Sequence, residues 1–125
     1  MNTLRKPKLY FDTDAQPNHV TFDDGKETRR NFPWHKFSEA KWDYSEPDLL
    51  RVQMDEVVVM LRGHNLNPLF LAIESESLLR VRAQPELEDD RDREIDTFIT
   101  EIRFVKSSPE LFGDAPGQME WELGK

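Results

Sequence analysis

A chain of 125 residues with 37% hydrophobic and 34% charged side chains is one domain by length, and it can bury roughly two-thirds of the surface its unfolded form exposes. The absence of cysteine excludes disulfides, thiolate catalysis and cysteine-based zinc sites, and agrees with a reducing cytoplasm. The formal charge of −8 opposes non-specific attraction to nucleic acid or anionic membrane, and no stretch nears the ~20 apolar residues of a membrane span. The N-terminal "MNTLRKPKLYF" has basic residues but no apolar core of a secretory signal, so the expected location is cytoplasmic.

Residues 1–18 read as an N-terminal segment in which only Leu9-Tyr10-Phe11 could make a short strand. "HVTF" then leads into "DDGK", and Asp24-Gly25 is a turn pair that supplies positive φ at little steric cost. A β-hairpin is expected, with strands at 19–22 and 27–32. After Pro33, "FSEAKWDY" alternates, with Ser38, Ala40, Trp42 and Tyr44 as the face expected to be buried. "LLRVQM" places Leu50, Val52 and Met54 together. "VVVMLR" is apolar on both faces, as a central strand covered on both sides would be.

Asn67-Pro68 forms a good helix start, and Leu66, Leu69, Phe70 and Ile73 follow the stripe of a helix packed by one face. The helix is expected near 66–77, ending in "ESES". "LLRVRAQP" returns to period two, with Leu79, Val81 and Ala83 inward and Arg80 and Arg82 outward. "ELEDDRDREID" holds seven acids and two arginines and reads as a solvated segment. Asp90, Asp92, Glu94 and Asp96 alternate like the start of a calcium loop, but Ile95 stands where that loop requires glycine. "TFITEIRFVK" is a last strand, with Phe98, Ile102 and Phe104 on one face. Residues 107–125 form an acidic tail containing Pro and Gly, which can dock through Leu111, Phe112 and Trp121.

These elements predict an α+β domain over 19–106: a mainly antiparallel, curved sheet of about five to seven strands with one main helix. A half-open β-barrel with a helix is the alternative. Function is far less legible. No Gly-rich phosphate loop, nucleophile elbow or His-Glu-x-x-His spacing occurs, so neither a cofactor nor a metal is expected.

Three sets of residues remain as candidate ligand contacts. Residues 26–37 interleave Arg29, Arg30 and His35 with Trp34 and two phenylalanines, as a surface for single-stranded nucleic acid would. Arg80, Arg82 and Arg103 would share an anion-binding face if strands 78–83 and 97–105 paired. His64 sits in a strand-to-helix loop. The leading expectation is a non-catalytic binding or assembly module acting as a homodimer, because "VVVM" needs cover on two faces and one helix supplies only one. Nucleic acid is the less favoured partner, and an enzyme would need His35 or His64 beside a carboxylate.

Overall fold

The computed structural model of the chain describes residues 6–90 and 94–108. Eight strands and one helix follow each other as β1 (Phe11–Thr13), β2 (His19–Asp23), β3 (Arg29–Pro33), β4 (Phe37–Lys41), β5 (Leu49–Met54), β6 (Val57–His64), α1 (Asn67–Glu74), β7 (Leu78–Arg82) and β8 (Phe98–Lys106). They make two four-stranded sheets, ordered β1-β7-β2-β3 and β4-β5-β6-β8, where the sequence reading expected a single sheet of five to seven strands. No barrel closes. Between these strands the pairing is antiparallel except for β2 with β7, which run parallel, as do the isolated bridges Leu9–Thr97 and Ala83–Ile99.

The expected hairpin is β2–β3. Gly25 lies at φ 77° in its turn, and the Asp24 carboxylate accepts the backbone N–H groups of Lys26, Glu27 and Thr28 at 2.8, 2.9 and 3.0 Å. A short 3-10 turn, Trp34–Lys36, then carries the chain from the first sheet to the second. β4, β5 and β6 form an antiparallel meander, and β8 closes the far side of β6.

One hydrophobic core lies between the two sheets and α1. Val20, Phe22, Phe32 and Trp34 enter it from the first sheet, with Leu50, Val52, Met54, Val59, Leu61 and Ile102 from the second. The helix adds Leu66, Leu69, Ala72 and Ile73. Its apolar stripe behaves as read, although the helix stops at Glu74 and Asn67 is inside it rather than capping it. Asn65 lies just before it in the left-handed region at φ 51°, and its side-chain amide donates to the Glu94 and Asp96 carbonyls at 2.7 and 2.9 Å.

Irregularities in the ladders overturn three face assignments. The register shifts between Phe37 and Glu39, which turns both Phe37 and Ala40 towards the core, while Tyr44, beyond the strand, is fully exposed. A bulge opposite β1 leaves Leu78 buried and Leu79 exposed. In β8 the register jumps from Glu101 to Ile99, so Thr100 is an extra residue. Ile99 therefore joins the core with Ile102, and Phe98 turns to the opposite face against Tyr10 and His64.

The expectation that β6 is covered on both faces is met in part within the chain, since Met60 on the outer face is only half-covered. Val59 and Leu61 face the core, and Val58 on the outer face is also fully buried. Gln53 on β5 donates to Ser107 Oγ at 2.9 Å, just past β8, and to the Asp55 carbonyl in the β5–β6 turn at 3.1 Å. Among the described residues no helix is long and apolar enough to cross a membrane. The tail from residue 109, with Leu111, Phe112 and Trp121, lies outside the described residues, as do residues 1–5 and the middle of the acidic run, 91–93.

Candidate functional site

The bulge in β8 creates the most developed polar cleft. Arg62 and His64 alternate outward at the end of β6, with Gly63 between them turned inward. Gly63 is required here by space. A Cβ at this position would fall 2.9 Å from Ile99 Cα and closer still to the Phe98 carbonyl oxygen. The two strands thus approach more closely than a side chain permits, and Thr100 is displaced into the cleft, its hydroxyl donating to the Arg62 carbonyl at 3.2 Å. Bulges commonly re-aim side chains in this way beside binding sites.

The cleft has a volume of about 400 Å3. Arg62, His64, Thr100 and Glu101 form one wall, Asp48 precedes β5, and Lys26 reaches in from the β2–β3 turn. Pro85 and Glu88, in and just after the 3-10 turn Pro85–Leu87, complete it. Arg62 is held by Asp48, with Nη1 to Oδ2 at 2.8 Å, and by Glu101, with Nε to Oε1 at 4.0 Å. The Asp48 carbonyl in turn accepts the Gly63 N–H at 2.9 Å, so the loop carrying the carboxylate is tied to the strand carrying the guanidinium. His64 stacks on Phe98, ring centroids 4.9 Å apart, which fixes the imidazole plane. Among the described residues, no hydrogen bond joins the His64 ring to a carboxylate, and Lys26 and Glu88 have no ion-pair partner.

The cleft therefore presents both charge signs on a fixed frame. Among the described residues no group of three or more histidine and carboxylate side chains is placed to hold a metal ion. The only hydroxyl on the cleft's lining, that of Thr100, is engaged as a donor and has no adjacent base hydrogen-bonded to it.

Of the other sequence candidates, Arg29 and Arg82 share a depression of about 260 Å3 at the β2–β3 turn, and the rest lie apart. Trp34 is buried, its indole N–H donating to the Leu78 carbonyl at 3.0 Å, and its ring meets Phe37 edge-on. Phe32 is buried as well, so the aromatics of residues 26–37 offer no open stacking platform. Arg30 lies over the rings of Phe32 and Phe104 at 5.0 and 5.3 Å, closing the open edge of the core between β3 and β8. Arg29 is exposed at the start of β3, and His35 is exposed in the 3-10 turn, away from the cleft.

The arginine set also separates. β7 lies between β1 and β2 in the first sheet, and its continuation touches β8 only through an isolated parallel bridge, Ala83 to Ile99. Arg80 and Arg82 thus sit on one sheet and Arg103 on the other, which corrects the expected common face. Arg82 is 4.0 Å from Asp23, while Arg103 pairs with Glu101 at 2.9 Å.

Of the predicted residues, only His64 enters the cleft. Asp48, Arg62 and Thr100 are not legible as site residues in the sequence, because β6, β8 and the turn before β5 meet only in the fold. One local signal was available: an Arg-Gly-His triplet at the end of a strand puts two polar side chains on one face around a residue with none. Comparison with protein-family models, with curated proteins and with solved structures finds no match to this chain.

Proposed function

We propose that the chain is a non-catalytic binding module whose recognition site is the His64 cleft. The observation that carries this reading is the bulge at Thr100 packed against Gly63. It departs from regular pairing, needs a glycine, and brings polar groups of both signs into one concavity. Arg62 is already neutralised by Asp48 and Glu101, which leaves Lys26, His64 and Glu88 as the groups available to a ligand. That set suits a small polar molecule carrying a cationic and an anionic group, and an isolated anion would meet the carboxylates.

Titration of the labelled protein with free arginine, free glutamate and inorganic phosphate tests this by amide chemical shift. The amino acids should move the Gly63, His64 and Thr100 amides, and Lys26→Met combined with Glu88→Gln should abolish the effect. No movement of these amides at roughly 10 mM, a concentration that reveals even weak complexes, would end the proposal.

Homodimer formation has less support than the sequence offered. Its motive was an outer face of β6 in need of cover, and Val58 and Leu49 on that face are already buried within one chain. Half-covered Met60 and exposed Val105 remain there, against the ~800 Å2 per partner that a stable interface removes from water. Sedimentation at the mass of two chains would restore that reading.

A further inference from the structure

The outer face of the first sheet carries a row of three charged side chains drawn from three strands. Asp23, at the end of β2, pairs with Arg29 on β3 and with Arg82 on β7. Residues paired across a ladder share a face, so the two arginines flank Asp23, two strand spacings or roughly 10 Å apart. They border the depression of about 260 Å3 at the β2–β3 turn, with Lys26, Glu27 and Thr28 also in its lining. Phe22 and Val81, next in the same strands, point the other way into the core, so the sheet itself holds the row.

The side chains differ in how far they are already engaged. Asp23 is only 16% exposed; its Oδ1 accepts the Gly25 N–H at 2.8 Å, and its Oδ2 stands 4.0 Å from Arg82 Nε, beyond hydrogen-bond distance. The turn lies against the Arg82 side chain, since a Cβ at Gly25 would fall 3.8 Å from Nε, yet that side chain is 63% exposed. Among the described residues Arg29 and Lys26 have no ion-pair partner. The N–H groups of Lys26, Glu27 and Thr28 are taken by the Asp24 carboxylate, so a ligand here is held by side chains.

We propose that this row is a binding site for hydrogen phosphate, the form of inorganic phosphate that keeps a proton. Two guanidinium forks facing each other match the edges of a tetrahedral oxyanion. Three cations outnumber two carboxylates in the lining, which favours an anion. Asp23 then selects among anions. It repels one that only accepts hydrogen bonds, such as sulfate or a carboxylate, and accepts a hydrogen bond from one that still carries a proton. This site does not depend on the His64 cleft, with which it shares only Lys26.

The test titrates the labelled chain at about pH 8 with inorganic phosphate, sulfate and methyl phosphate. All three then carry about two negative charges, and only inorganic phosphate retains a proton. It should move the Gly25, Thr28 and Arg29 amides and bind about tenfold more tightly than the other two, the worth of one charge-assisted hydrogen bond. Arg29→Gln and Arg82→Gln should each weaken it about tenfold, whereas Arg103→Gln, which removes the same charge from the other sheet, should leave it unchanged. Asp23→Asn can still accept the Gly25 N–H, and it should bring sulfate and methyl phosphate level with phosphate. Equal binding of the three anions by the native chain overturns the proposal, as does an Arg103→Gln effect matching that of Arg82→Gln; either reduces the row to diffuse surface charge. No amide movement at roughly 50 mM phosphate also ends it. Movement of the Thr100 amide in place of Thr28 would put the anion in the His64 cleft and overturn it too.

Discussion

Replacing Gly63 with alanine adds a single methyl group to a place with no room for it. The added Cβ would lie 2.9 Å from Ile99 Cα and closer to the Phe98 carbonyl oxygen, whereas ordinary contacts of this kind begin near 3.4 Å. The neighbours are backbone atoms, so no side chain can swing aside. β8 must instead retreat by half an ångström or more at Ile99, and the pairs Gly63–Ile99 and His64–Phe98 lie at the point of strain. Losing two backbone hydrogen bonds costs about 2 kcal/mol. Displacing the buried Phe98 and Ile99 from their contacts adds about 1–3 kcal/mol. The expected loss is therefore about 3–5 kcal/mol, at the severe end for a point substitution. With a urea slope of about 1.5 kcal/mol/M, the unfolding midpoint falls by about 2 M or more. Gly25→Ala is strained both by its φ of 77° and by a Cβ that would fall 2.9 Å from the Ala83 carbonyl oxygen, and it should lose about 2–4 kcal/mol. A Gly63→Ala protein destabilised by less than about 1 kcal/mol, at an unchanged slope, would refute the close approach and with it the bulge that builds the cleft.

Three further outcomes follow from side chains already described. Arg30→Ala removes a cation held over two rings and should cost about 1–2 kcal/mol in urea unfolding; Arg30→Lys, retaining the charge, should recover part of it. Asn65→Gly keeps the left-handed backbone and loses only the bonds to Glu94 and Asp96, so in thermal unfolding it should be more stable than Asn65→Ala by about 1 kcal/mol. The Asp24 carboxyl is held below its ordinary range, first by the Thr28 N–H and then by those of Lys26 and Glu27. A depressed folded value means that its contribution to stability is complete above the ordinary aspartate range and is lost as pH falls through the folded value. Carbon-13 titration of Asp24 should therefore show a midpoint below that of a model peptide, and a normal midpoint would contradict the turn geometry.

Those residues also mark what a linear reading can and cannot reach. The β2–β3 hairpin, the alternation in β5 and the stripe of α1 were legible because each depends on residues a few positions apart. The parallel pairing of β7 with β2 was not, since alternation reveals which side chains share a face and never which strand lies alongside. That single pairing separates Arg80 and Arg82 from Arg103. Face assignments failed only beyond a bulge or a strand end, as at Phe37, Tyr44, Leu79 and Phe98, where one extra residue inverts everything after it. The cleft inherits both difficulties, being assembled from distant strands at an irregular point.

The insertion of β7 between β1 and β2 also dictates an order of events as the molecule folds. The meander β4–β5–β6 needs only short-range loops and can nucleate unaided, whereas the first sheet stays two-stranded until Thr21 finds Arg80 across most of the intervening chain. That late, entropically demanding closure should set the folding rate. Amide protons of β5 and β6 should gain protection from solvent exchange before those of β1, β2 and β7. The last strand to seat is also the one whose continuation, through the Ala83 bridge, fastens the two layers together.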